Sequence, residues 1–318
     1  MNNIVSVIIT TYKRPELLLR SLNSALQQTY PYVEVVVVDD NDPDSPARLK
    51  TAELMETEFS NFSNLRYVQM PQNSGACAAR NYGVEVCKGD FISFLDDDDE
   101  FLPEKTAHQM EVFAADKENK LSAVGCYMEV VDGDGKLLHI SKDDIRGDVF
   151  YYQMCDTVCC TLQLLIRKSV YVQSGGFETM HSSQEHWMLA KLFSVNPNYD
   201  YIPEVLCRAY HHEGARISNN KTRPLGVVEL YNKCMTLLDR FTPKQAAVIQ
   251  RRRNDHIITA YLHAGMKKKS FYYWRRGIKM RRKLGVRDVY TLYVIIIGEK
   301  AQNKIISYLS KIKHSFIK

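Results

Sequence analysis

No apolar run in this chain is long enough to span a bilayer; the nearest, Leu292 to Gly298, falls far short. The opening MNNIVSVIITTYKRP has no basic stretch leading into a signal-peptide core, so a cytoplasmic protein is expected. The eight cysteines show no C-x-x-C pairing, which argues against the common structural zinc sites. In a reducing compartment they are expected as thiols, with Cys159 and Cys160 packed into the apolar stretch around them. No G-x-G-x-x-G follows the first apolar run, and no G-x-x-x-x-G-K-[ST] occurs anywhere. The usual dinucleotide and P-loop readings are thereby excluded. No fixed-period repeat is visible either.

What is present is ordinary in bulk and uneven in distribution. Apolar residues make up 45% and charged residues 25% of 318, a soluble globular composition long enough for a large core. Residues 251–318 carry 18 Lys and Arg against 3 Asp and Glu, a net of +15, whereas residues 1–250 carry a net of −10. Such asymmetry predicts two functional parts, the second facing something anionic.

The β-branched run Val5–Ile9, the run Val33–Val38, the segment Leu65–Val68 and the apolar, β-branched and aromatic run Phe91–Leu95 predict strands. Helical patterns at about 16–28, 47–58 and 75–86 separate them. This alternation predicts an α/β fold with a mostly parallel sheet and helices on both faces. From about residue 121 the pattern becomes mixed, with a turn at Asp132-Gly133-Asp134-Gly135, a helix over 183–194 and short runs over 200–217. After Pro224 it becomes helical, over about 226–240, 243–263, 267–283 and 288–312. A domain boundary is placed near 220–224, giving parts 1–222 and 223–318.

Two predicted strands end in acids, Asp39-Asp40 and Asp96 to Asp99. Four adjacent carboxylates raise one another's pKa unless a cation offsets them, and a hard divalent ion with oxygen ligands does so economically. In open α/β sheets, ligands gather beyond the carboxyl ends of the strands. Acids at two such ends therefore suit a nucleotide whose diphosphate is neutralised by Mg²⁺ or Mn²⁺. A solvated acidic turn capping the next helix is the plainer alternative for the second cluster.

The segments VSVIITTYKRP at 5–15, EVVVVDDND at 34–42 and NSGACAARNYGVEVCKGDFISFLDDDDEFLPEK at 73–105 resemble the inverting, GT-A-fold glycosyltransferases of family 2. GGF at 175–177 and SSQEHWMLAKL at 182–192 continue the resemblance, which covers roughly residues 3–220. It implies a nucleotide-diphospho-sugar transferase fold and a metal-dependent hexosyl- or N-acetylhexosaminyl-transferase using Mn²⁺ or Mg²⁺. The implied donor is a nucleotide sugar, expected to be a UDP-sugar. The implied acceptor is a saccharide or lipid-linked saccharide in cell-surface polysaccharide or glycolipid synthesis.

Under the resemblance, Thr10, Asp39 and Asp40 would form the base and ribose pocket, with Arg80 and Asn81 near the nucleotide and Asp96 and Asp97 on the donor. Asp98 would be the direct metal ligand, Asp99 extending the cluster or capping the next helix. Glu185 aligns with the general base, and His186 is the alternative because its ordinary pKa suits the task. Trp187 could stack on an acceptor sugar or lie in the core. In the late stretch His211-His212-Glu213-Gly214-Ala215-Arg216, His212 would reach the metal and Arg216 the diphosphate.

Two other readings stay open: a sugar-phosphate nucleotidyltransferase, though Thr10–Pro15 lacks its Gly-rich signature, and a non-catalytic member of the fold serving as a binding or scaffold protein. The basic tail interleaves Lys267-Lys268-Lys269 and Arg275-Arg276 with Phe271 to Trp274. Peripheral contact with an anionic membrane at the inner face of the cell membrane is the favoured reading, with a solvated packing face close behind. No nucleic-acid module is recognised, and no nucleic-acid partner is expected.

Overall fold

The computed structural model describes residues 3–142, 144–211, 222–281 and 285–297. The chain divides into two compact units, Met1–Thr179 with Gln184–Gly214, and Met180–Ser183 with Ala215–Lys318.

The first unit is built on one ten-stranded sheet. Its parallel part joins β1 (Val5–Thr11), β2 (Val33–Asp39), β3 (Leu65–Gln69) and β4 (Phe91–Asp96), in the order β3-β2-β1-β4. β1, β2 and β4 are rich in buried Val, Ile and Phe because helices cover the sheet, whereas β3, Leu-Arg-Tyr-Val-Gln, is only partly buried. Val5, Val7, Ile9, Val35 and Val37 are buried with Leu18 and Leu22 of α1 (Pro15–Leu26) in one core cluster. The helices α2 (Pro46–Glu58) and α3 (Ala76–Val86) complete the crossovers. Gly83 of α3 lies so close to the sheet that an added Cβ would stand 2.5 Å from Ile8 Cγ2.

Beyond β4 the sheet turns mixed. After β5 (Glu100–Phe101) and α4 (Lys105–Ala115) come β6 (Ala123–Asp132), β7 (Leu137–Ser141) and β8 (Gly147–Asp148). The Asp132–Gly135 turn joins β6 to β7 in an antiparallel hairpin, as its Gly and Asp content predicts. α5 (Phe150–Cys155), β9 (Leu165–Arg167), α6 (Lys168–Ser174), α7 (Gln184–Val195) and β10 (Asn198–His211) follow. The short runs predicted over 200–217 are, as far as residue 211, one long strand. Two register shifts, at Ile202/Val205 and Val205/Cys207, break its alternation around Pro203 and disguise its length.

None of the eight cysteines forms a disulfide; Cys159 is buried and Cys160 half-buried. The second unit contains α8 (Arg223–Met235), α9 (Pro243–His263), α10 (Lys267–Arg281) and α11 (Val286–Ile297). Its core joins Tyr231, Ile257 and Tyr261, with Tyr273 stacked on Tyr261 at 5.6 Å. The helix predicted over 288–312 is described as far as Ile297. No described helix is long and apolar enough to cross a membrane.

Candidate active site

Strand register brings the carboxyl ends of three parallel strands level: Thr10 lies beside Val38 on one side and Asp96 on the other. Both acidic clusters thus emerge at one edge of the sheet, where open α/β folds bind ligands.

The two acids ending β2 do different work. Asp39 is fully buried: Oδ1 accepts from the Asn41 backbone N–H and side-chain amide at 2.9 and 2.7 Å. Its Oδ2 accepts from the Tyr67 hydroxyl at 2.6 Å and pairs with Arg48 Nε at 3.2 Å. Asn41, held this way, accepts the Lys13 N–H at 2.8 Å and pins that residue at φ +60° in the β1–α1 loop. Asp39, expected beside the nucleotide, therefore has both oxygens engaged inside the protein and supports the loop from beneath. Replacing it as Asp39→Asn should destabilise the fold by about 3–5 kcal/mol, because Arg48 would be buried without a counter-charge. A urea titration followed by circular dichroism measures this, and an unchanged midpoint would refute the support role.

Asp40 faces the loop that opens α3. Its carboxylate accepts from the N–H groups of Ser74 and Gly75 at 2.8 and 2.9 Å and from the Asn73 amide at 3.0 Å. Burial raises its pKa, and these two backbone N–H groups pull it part of the way back. Gly75 sits at φ +86°, and a Cβ there would meet no atom within 4 Å, so the floor beside Asp40 is open. Thr10 is half-buried on the neighbouring strand.

The turn after β4 sorts its aspartates by direction. Asp97 points inward, accepting from the Thr11 hydroxyl at 2.9 Å and from Arg14. Burial pushes it up to about 7, although Arg14 draws it down. Asp98 accepts from Arg14 at 2.6 Å, and Arg20, stacked 3.5 Å over the Tyr210 ring, donates to its carbonyl. Asp99 accepts the Tyr210 N–H at 3.0 Å. The turn thus places carboxylate oxygens of Asp96, Asp98 and Asp99 within 4.8 Å of one another, each on a half-buried residue. An all-oxygen set of this spacing fits Mg²⁺ or Mn²⁺. The inward turn of Asp97 leaves it outside that set, bound to Thr11 and Arg14.

Arg80 joins this turn to α7. It donates to Asp96 Oδ1 at 2.6 Å, with its guanidinium 5.2 Å from the Phe177 ring. Burial works against its charge, but Asp96 and Glu185 outweigh burial and raise its pKa. Glu185 lies in the first turn of α7, half-buried, with Oε1 accepting from the Thr161 hydroxyl at 2.8 Å. Burial raises its pKa, Arg80 lowers it, Asp96 raises it and the Thr161 bond lowers it; the net direction is upward. His186 is turned onto α5, where Nε2 donates to the Gln153 carbonyl at 2.9 Å. Trp187 is buried, as a core aromatic would be.

Asn81, beside Arg80, holds the GGF loop: Oδ1 accepts from Phe177 N–H at 3.0 Å and the Tyr171 hydroxyl at 2.7 Å, and Nδ2 donates to the Phe177 carbonyl at 2.9 Å. Gly176 has φ +59°, and a Cβ would lie 2.6 Å from Asn81 Oδ1. Gly176→Ala should cost about 1–3 kcal/mol through overpacking and backbone strain, read as a lower thermal midpoint. An unaltered midpoint would show that the loop yields freely.

Thr10, Asp40, Arg80, Asp96, Asp98 and Glu185 are thus brought to the sheet edge and its covering helices. His212 and Arg216 lie outside the described residues. Two contributors went unread in the sequence. Arg14 stands at a strand-end turn before Pro15, a signal visible in retrospect once an acidic turn is placed beside it. Thr161 has no local pattern that marks it; only the fold brings it to Glu185.

The profile described as Glycosyl transferase family 2 matches residues 6–171. An uncharacterized glycosyltransferase of Rickettsia bellii is 29% identical over 220 residues, covering 67% of this chain and 31% of that protein. The putative teichuronic acid biosynthesis glycosyltransferase TuaG of Bacillus subtilis is 29% identical over 130 residues, 41% of this chain and 49% of that one. The chain therefore spans about a third to a half of the length of these relatives. Among solved structures, S. aureus TarS 1-349 in complex with UDP-GlcNAc superposes with a TM-score of 0.56 at 16% identity, covering 88% of this chain and 91% of that one. Mannosyltransferase PcManGT from Pyrobaculum calidifontis, in complex with GDP-Man and Mn²⁺, gives a TM-score of 0.60 at 15% identity, covering 95% and 83%. Those similarities show the shared GT-A fold. With the profile matched across more than half of its length, this chain belongs to glycosyl transferase family 2.

Proposed function

We propose that the chain transfers one sugar, with inversion, from a UDP-sugar to a hydroxyl on a saccharide or lipid-linked saccharide acceptor. One observation carries the reading: Arg80 is shared electrostatically by Asp96 of the acidic turn and Glu185 of α7, so a cation-binding edge and a candidate base occupy one site. Residues 1–222 hold the chemistry in this reading and 223–318 form a separate helical part. The complexes of TarS with UDP-GlcNAc and of PcManGT with GDP-Man and Mn²⁺ support a nucleotide-sugar donor. The putative role of TuaG in teichuronic acid biosynthesis supports a cell-surface polysaccharide setting.

The geometry supports the following roles. The open floor at Gly75, beside Asp40 and Thr10, receives the nucleoside. Asp98, with Asp96 and Asp99, would hold Mn²⁺ or Mg²⁺, which supplies Lewis-acid stabilisation of charge on the departing diphosphate. Glu185 takes the proton from the acceptor hydroxyl as that oxygen attacks the anomeric carbon. Arg80 keeps Glu185 toward its ionised form and neutralises Asp96. Arg14, already bound to Asp98, balances the acidic turn.

Incubation with UDP-GlcNAc, UDP-hexoses and GDP-mannose in Mn²⁺, with products resolved by ion exchange, tests this. Release of nucleoside diphosphate is expected, from a UDP-sugar in preference to GDP-mannose. With pyrophosphate added, conversion of the nucleotide sugar to nucleoside triphosphate and sugar 1-phosphate would assign a nucleotidyltransferase instead. Donor binding without product, seen as a raised thermal midpoint alone, would assign a scaffold.

A further inference from the structure

Helices α10 and α11 pair as an antiparallel hairpin. The Lys267 ammonium donates to the Ile296 carbonyl and the Trp274 indole N–H to the Asp288 carbonyl, both at 2.9 Å. In this arrangement α11 buries Val294 and Ile295 but leaves Val289, Tyr290, Tyr293 and Ile296 exposed. Val289, Tyr293 and Ile296 recur at steps of four and three residues and so form one stripe. The exposure is substantial, 54% for Val289 and 66% for Ile296. On α10, Lys268, Tyr272, Arg275 and Lys279 recur at the same spacing, and all four are exposed. Scattered apolar side chains on a surface are ordinary, but an apolar stripe on one helix of a pair whose other helix carries a cationic stripe marks an interaction face.

We propose that the α10–α11 hairpin docks this chain on an anionic lipid bilayer. No described helix is long and apolar enough to span one, and in this proposal α11 lies in the interfacial plane. Val289 and Ile296 enter the acyl boundary. Tyr272, Tyr290 and Tyr293 sit at headgroup depth, apolar rings inward and hydroxyls wet. Lys268, Arg275 and Lys279 meet lipid phosphates. Two rival occupants fit this surface less well. A second copy of the chain would bring the 18 Lys and Arg of residues 251–318 against themselves, with only Asp255, Asp288 and Glu299 to offset them. A nucleic acid would satisfy the cations and leave the Val289–Ile296 stripe wet.

The full chain should co-sediment with vesicles of phosphatidylcholine and phosphatidylglycerol at 7:3, fail to do so with phosphatidylcholine alone, and detach in 0.5 M salt. Two sets of exposed substitutions dissect the surface. Lys268→Gln, Arg275→Gln and Lys279→Gln together should lower vesicle affinity about a hundred-fold. Val289→Asp with Ile296→Asp should abolish co-sedimentation, with circular dichroism melting curves unchanged in both sets. Equal binding to both vesicle types, or none to either, overturns the proposal. So does binding that survives the Asp pair, as a charge-only polyanion site would give. A concentration-dependent dimer in lipid-free buffer that the Asp pair dissolves would assign the face to self-association. The readout needs no turnover, so it stands or falls apart from the donor chemistry.

Discussion

Asp98→Ala is expected to slow transfer about a thousand-fold and leave the fold intact. The magnitude follows from the chemistry lost. Stabilising a departing diphosphate by a bound cation is worth several kcal/mol, and each ~1.4 kcal/mol is tenfold in rate. The intact fold follows from position. Asp98 is only half-buried, and its one described side-chain bond is to Arg14, a residue exposed over nearly half its side chain. Ion pairs of that exposure contribute little to stability. The measurement is the initial rate of nucleoside diphosphate release across a Mn²⁺ titration, beside a thermal melt. A variant with full activity and an unchanged Mn²⁺ dependence would remove the acidic turn from the reaction. Asp97→Asn offers the contrast. Its carboxyl is buried against Thr11 and Arg14, so its effect should appear in the melt before it appears in the Mn²⁺ dependence.

That contrast also marks what could be read from the chain and what could not. The parallel half of the sheet was legible because β1, β2 and β4 are short, largely apolar runs rich in β-branched or aromatic residues, separated by helical patterns. The strand-end acids were legible as a group for the same reason: a charged residue directly after a buried run must sit at the sheet's edge. Their individual directions were not. Asp39 and Asp40 are neighbours of one type, yet Arg48 and Tyr67 claim the first while the amides of residues 74 and 75 claim the second. Those partners come from other elements, at distances along the chain that no local periodicity encodes. Asp97 differs from Asp96 and Asp98 for a similar reason, since Thr11 draws it inward across the sheet edge. β10 was illegible as one strand because Pro203 and two register shifts interrupt the alternation that marks a strand.

Glu185→Gln is expected to lower the rate about 10²- to 10⁴-fold, the usual contribution of a positioned general base. The amide preserves size and can still accept from Thr161, so the loss would reflect chemistry and not packing. Direction in pH discriminates further. A base must be ionised to act, so activity falls as pH drops through the pKa of Glu185. Burial has raised that pKa, and the Thr161 hydroxyl is one of the groups holding it down. Thr161→Val should therefore move the acid limb of the kcat/KM profile to higher pH, and Thr161→Ser, which keeps the hydroxyl, should return it. His186→Gln gives the opposing test. Its Nε2 proton is engaged by the Gln153 carbonyl on α5, so the acid limb should stay where it is. If the limb follows His186 and ignores Thr161, the proton goes to the imidazole, and Glu185 serves only to balance Arg80.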